Sequence, residues 1–129
     1  MNKRRNGEYY ENLACDHVRD NGGVITERNF RSRAGEIDII FKDGRYLVFA
    51  EVKYRSGLRF GTAENAVDYK KQQTICRVSD FYRKKYHIPE NTPLRYDVIA
   101  ISLDKNGNTV FRWHKNAFEY IPKKGRNPF

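Results

Sequence analysis

The chain has 129 residues, 39% hydrophobic and 14% aromatic, which suits one domain spanning 1–129 with its own core and argues against a disordered segment. No apolar run approaches the ~20 residues of a bilayer span, and residues 7–12, which follow the basic start Lys3-Arg4-Arg5, are too polar for a signal peptide; a cytoplasmic protein with no membrane partner is expected. Lys and Arg number 25 against 16 acidic residues, a formal charge of +9, which favours nucleic acid as partner through counterion release, although the same excess would also serve solubility alone.

Cys15 and Cys76 lie far apart and form no CxxC pair, and His17, His87 and His114 are scattered. Neither a zinc site nor a disulfide framework is supported, in keeping with a reducing compartment.

In chain order, apolar spacing predicts a helix over about 7–21, with Tyr10, Leu13, Ala14, His17 and Val18 on one face, Glu11 at the edge of that stripe and Gly22-Gly23 as the stop. A short strand is expected over 24–30, then a basic loop over 31–35. Two strands follow, over 36–41 and 46–53, joined through Asp43-Gly44, a strong hairpin signal. A polar loop spans 54–62. A long helix is expected over 63–86, with Val67, Lys71, Ile75, Val78 and Tyr82 as its inner stripe. Pro89 and Pro93 punctuate the exit. A β-rich run over 94–102, a turn over 104–108 and a last strand over 109–114 complete the pattern. The ends, about 1–6 and 122–129, are basic and expected to be mobile. This order describes an α/β fold with a mixed central sheet flanked by helices.

A two-residue turn at Asp43-Gly44 sets Lys42 opposite Arg45, Ile40 opposite Leu47 and Asp38 opposite Phe49. Alternation then sends Phe49, Glu51 and Lys53 to the same side as Asp38, with Glu51 its diagonal neighbour. Two carboxylates and a lysine converge beside apolar positions, where ionised acids carry a desolvation cost of several kcal/mol unless something compensates. Mg²⁺ or Mn²⁺ would compensate, and the ligand count fits phosphodiester hydrolysis, with Lys53 orienting water or stabilising developing charge. A plain Glu51–Lys53 ion pair on a strand face is the competing explanation. The whole inference depends on strand parity.

The segments Gly35-Glu36-Ile37-Asp38 and Val48-Phe49-Ala50-Glu51-Val52-Lys53-Tyr54-Arg55 resemble the D…E-x-K core of the PD-(D/E)XK nuclease superfamily. With Gly7, Glu11, Ala14, Asn29-x-Arg31, Phe60-Gly61, Ala66-Val67, Lys71 and residues 95–98, nearly the whole chain is similar to the YraN-like family of small bacterial proteins. These are generally described as predicted endonucleases similar to archaeal Holliday-junction resolvases. The resemblance implies an αβββαβ restriction-endonuclease-like core. It implies Asp38, Glu51 and the Val52 carbonyl as ligands of Mg²⁺ or Mn²⁺, Lys53 as catalytic lysine and Glu11 as auxiliary acid. Ile37 stands where the superfamily name places proline, a common variation. DNA hydrolysis, at branched or distorted structures, is the implied activity; a nucleic-acid-binding module that keeps the fold without catalysis is the alternative. A homodimer is compatible with the resemblance, since related junction-cutting enzymes act on two strands.

Arg31, Arg33, Arg55 and Arg59 flank the expected site and are candidates to hold phosphates, as are Lys71 and Gln72. Each arginine alone could equally be solvated, and Lys71 could snorkel past the core. Glu11 could reach the site or face solvent. Glu36 falls opposite Glu51 in this register, a repulsive pair unless a cation intervenes or it turns to solvent. Tyr9, Tyr10 and Trp113 could stack on bases or pack in the core, and Asp97 is expected to be structural.

Overall fold

The computed structural model describes residues 3–55 and 67–124. Helix α1 (Lys3–Asp20) leads into β1 (Val24–Ser32), β2 (Gly35–Asp43) and β3 (Tyr46–Tyr54). Helix α2 (Tyr69–Lys85) follows, then β4 (Leu94–Leu103) and β5 (Thr109–Phe118). The five strands form one sheet in the order β1-β2-β3-β4-β5, antiparallel except for the parallel pair β3–β4. A parallel neighbour requires a crossover, and α2 lies within it. The fold is therefore mixed α/β, a five-stranded sheet with a helix on each face.

Each face has its own core. Ala14, Cys15 and Val18 of α1 pack on Ile39, Phe41, Val48, Ala50, Ile99 and Ile101. Ile75, Cys76, Val78 and Tyr82 of α2 pack on Phe30, Ile40, Leu47, Phe49, Tyr96 and Val98. Burying a side chain such as Ile75 or Val78 contributes about 1.5–3 kcal/mol, so α2 is held mainly by packing. Its start is set by Asp68, whose carboxylate accepts from Lys71 N–H at 2.8 Å. Among the described residues no helix is long and apolar enough to cross a membrane.

Several boundaries differ from the sequence expectation. α1 begins at Lys3 rather than about 7. The loop expected over 31–35 shrinks to Arg33-Ala34, because both flanking strands keep pairing as far as Ser32 opposite Gly35. α2 begins at Tyr69, so Val67 is buried ahead of the helix rather than within it. The last strand runs on to Phe118, which stacks on Tyr96 of β4. The expected helix start over 63–66, the family-like Phe60-Gly61 and the end of the basic tail over 125–129 lie outside the described residues.

The hairpin register is also corrected. Asp43 pairs with Tyr46, Lys42 with Leu47 and Ile40 with Phe49, so the two turn residues are Gly44 and Arg45, and Gly44 takes a positive φ of 59°. The pairing moved by two residues. Two is even, so the shift by itself sends no side chain to the other face, and Asp38 now counts as opposite Glu51 rather than Phe49. Glu36 does not face Glu51: it pairs with Arg31 on β1.

Strict alternation fails at one row of the sheet. On β2, Ile37 packs with the α2-side core and Ile39 with the α1-side core, although two residues apart should share a face. On β1, Arg28 reaches the α1 residues Glu11 and Asn12, whereas Phe30 packs against Tyr82 of α2. The residues between these pairs, Asn29 and Asp38, fall opposite each other in the β1–β2 register. Asn29 has φ 52°, a left-handed conformation that asparagine tolerates better than most residues.

A candidate metal centre

The kinked row gathers the acids. The recorded β2–β3 pairs end at Ile39–Ala50, and one step further on the Asp38 side chain meets the β3 backbone, accepting from Val52 N–H at 2.8 Å. Glu51 is 7% exposed, on the α2 face of β3 like Leu47 and Phe49. Lys53 Nζ stands 3.7 Å from Glu51 Oε1, and Lys71 Nζ, delivered by the first turn of α2, stands 4.0 Å from the same oxygen. Glu51 Oε2 is buried with no hydrogen-bond partner. On the other side of Asp38, Glu11 of α1 is buried, its Oε1 accepting from Asn29 Nδ2 at 2.7 Å with Arg28 Nε at 3.6 Å.

Burial is the main force on all three acids. It pushes the Glu51 carboxyl up to about 7, reinforced by the neighbouring Asp38 and opposed by Lys71 and Lys53. Burial raises Asp38 as well, against the Val52 N–H that favours its charged form. Glu11 is raised by burial and then by Asp38, while Arg28 and Asn29 work the other way. Asp38 is thus the electrostatic link between Glu51 on β3 and Glu11 on α1. An open cavity of about 530 Å³, lined by Glu11, Arg28, Asn29, Arg31, Glu36 and Asp38, leads to this link from the α1 side.

The residues fit a divalent cation in one respect above all. A buried carboxylate oxygen without a partner, beside a second acid whose charge it opposes, is a group that a cation would satisfy. Among the described residues no three His, Cys, Asp or Glu side chains form a ready cage. Mg²⁺ generally uses only one or two protein carboxylates and takes water and substrate oxygens for the rest, a demand that the donor chemistry of Asp38, Glu51 and the Val52 carbonyl would fit.

The expected phosphate contacts fare differently. Lys71 reaches Glu51, and Gln72 Nε2 is turned to its own chain, donating to the Val67 carbonyl at 3.0 Å. Arg31 is exposed and stands 3.6 Å from Glu36. Arg33 is exposed beside Phe81, at a distance from the acids along the β1–β2 turn. Arg55 N–H donates to the Ile101 carbonyl at 2.8 Å, which ties the end of β3 to β4. Arg59 lies outside the described residues. Tyr10 stacks on Tyr54 at 4.2 Å between ring centres, Trp113 packs edge-on against Phe41, and Tyr9 is exposed against the edge of Tyr10. Asp97 accepts from Arg95, Trp113 Nε1 and Asn116 N–H.

Sequence reasoning gave no role to Asn29 or Arg28. A signal was available: asparagine is disfavoured inside a strand and tolerates positive φ, so Asn29 between Arg28 and Phe30 marks a kink.

Comparison with known proteins places the chain among small bacterial relatives. Residues 10–101 match the family model described as "Uncharacterised protein family UPF0102". The chain is 40% identical to a UPF0102 protein of Legionella pneumophila over 113 residues, covering 88% of this chain and 93% of that protein. It is 42% identical to a UPF0102 protein of Caldicellulosiruptor bescii over 120 residues, 92% of this chain and the whole of that protein. The family match spans α1 from Tyr10 onward, the kinked row, both lysines and most of β4, and on that footing the chain belongs to the UPF0102 family.

Proposed function

We propose that this protein is a Mg²⁺- or Mn²⁺-dependent nuclease that hydrolyses DNA phosphodiester bonds, at branched or distorted structures, on a restriction-endonuclease-like αβββαβ core. The observation that carries the proposal is the buried, partnerless Glu51 Oε2 beside Asp38, with two lysines at the other oxygen of the same carboxylate. A folded protein that keeps such a group charged needs a cation to offset its desolvation.

Asp38, Glu51 and the Val52 carbonyl would hold the ion, which when bound supplies Lewis-acid activation of water and of the phosphate. The protein's own groups do the rest. Val52 N–H fixes one oxygen of Asp38 and so orients the carboxylate. Lys53, on the same strand face as Glu51, donates to the attacking water or to a phosphate oxygen as charge develops there. Lys71 offers a second ammonium from α2 for the same phosphate. Glu11, on the cavity side of Asp38, can take a proton from water. Arg31, exposed beside Glu36 at the mouth of the cavity, and Arg55 at the end of β3 are candidates to steady flanking phosphates.

Cleavage of single-stranded, duplex and four-way-junction DNA with Mn²⁺ tests the reading, alongside a melting-temperature titration with the metal. Expected are cleavage of at least one substrate, a rise in Tm with Mn²⁺ because only the folded state holds the ion, and loss of at least about 10²-fold in cleavage for Asp38→Asn and Glu51→Gln with DNA binding retained. A protein that binds DNA, cuts none of these substrates and melts at the same temperature with and without metal would be a binding module instead.

A further inference from the structure

Asn29 does two things at once. Its backbone takes φ 52° in the middle of an edge strand, and its side-chain amide donates to Glu11 Oε1 at 2.7 Å across the gap between β1 and α1. The kink it makes is what puts Arg28 on the α1 side, where Nε stands 3.6 Å from the same Glu11 oxygen and Nη2 donates to Asn12 at 2.7 Å. One oxygen of a buried acid is thereby held from β1 by a single hydrogen bond, from Asn29, with the Arg28 charge beside it as an ion pair. Glu11 is 8% exposed and lines the same cavity as Asp38. Removing the amide would take away the 2.7 Å hydrogen bond and leave the Arg28 charge at 3.6 Å facing the same oxygen.

We infer that Asn29 is the positioning residue for Glu11, holding that carboxylate toward the water side of Asp38 during phosphodiester hydrolysis. The inference rests on the nuclease reading. It assigns to the β1 kink a task in the chemistry, with Arg28 as a neighbouring countercharge, and leaves DNA affinity to other residues.

The separation of backbone from side chain makes this testable. Glycine accepts φ 52° at least as readily as asparagine but has no amide, so Asn29→Gly keeps the kink and removes only the link to Glu11. Expected is a drop of at least about tenfold in single-turnover cleavage with Mn²⁺, with Kd for uncut DNA and the metal-induced Tm shift unchanged. Asn29→Asp, which sets a second carboxylate against Glu11, should fall at least as far. Glu11→Gln combined with Asn29→Gly should cleave no more slowly than Glu11→Gln alone, because the two side chains act as one unit. Wild-type cleavage by Asn29→Gly, or strict multiplication of the two single effects, overturns the inference and leaves the nuclease reading standing. Failure of the wild-type protein to cleave any substrate overturns that reading, and the positioning role with it.

Discussion

Two acidic clusters lie on the same sheet and are treated in opposite ways. Around Asp97, 1% exposed, every demand is met: Arg95 grips it through Nε and Nη2 at 2.8–3.2 Å, and Trp113 Nε1 and Asn116 N–H add bonds at 2.8 and 2.9 Å. Arg95 Nη2 also donates to Asp43 at 2.7 Å, and Lys115 joins that oxygen at 3.3 Å. Around Glu51 the nearest cations stand at 3.7 and 4.0 Å, one oxygen has no partner, and the next acid is Asp38. The first cluster ties β4 to β5 and to the β2–β3 hairpin. The second costs stability where it sits. Asp97 shows how fully a buried carboxylate can be satisfied in this fold, and the deficit at Glu51 is what the proposed cation would fill.

The contrast can be broken most forcefully at Asp97. Asp97→Ala would leave the Arg95 guanidinium and two N–H groups without their acceptor, and should destabilise the protein by about 3–5 kcal/mol in a urea titration; a loss under about 1 kcal/mol would contradict the network. Glu51→Gln should do the reverse in metal-free protein. It removes a charge that burial disfavours, so at pH 8 the variant should be more stable by about 1–3 kcal/mol, and equal or lower stability would count against an unsatisfied carboxylate.

The pH dependence sharpens the comparison, because the two clusters have opposite signs. Folded Glu51 keeps its proton to about pH 7, whereas the unfolded chain loses it near 4.5. Between those values the folded state binds more protons, so this group's contribution is full below 4.5 and lost as pH rises through about 7. Asp43 is held below its ordinary 3.8 by the Arg95 hydrogen bond; its contribution is full above that value and lost as pH falls below it. Metal-free wild type should therefore soften between pH 4.5 and 7 and Glu51→Gln should lack that slope, as equilibrium unfolding across the range would show. The smallest effect is expected at Asp68, which caps the helix that delivers Lys71. Asp68→Ala should cost about 1 kcal/mol and leave the Asp97 network untouched, which tryptophan fluorescence of Trp113 would report.

Much of this was readable from the residues, for a physical reason. The convergence of Glu51 and Lys53 on Asp38 depends on parity, and parity survived because moving the turn by one residue shifts the strand pairing by two. The two cores followed from helical stripes such as Ala14–Val18 and Ile75–Tyr82, where period and burial agree. What could not be read was the kinked row. Whether Asn29 takes φ 52° is decided by what Arg28 and Phe30 find on opposite faces of the sheet, and those partners come from α1 and α2, distant in sequence. The start of α2 was misjudged because apolar spacing continued upstream through Val67, although Asp68 was a legible cap.

The kink in β1 has a further effect beyond the site it serves. β1 is an outermost strand, and an unbroken outer strand is a template on which a neighbouring copy can lay its own backbone. The left-handed residue at Asn29 and the bulge between Ile25 and Glu27 interrupt that template twice in nine residues. The irregularity that aims a carboxylate therefore also guards the rim of the sheet against accretion of further chains.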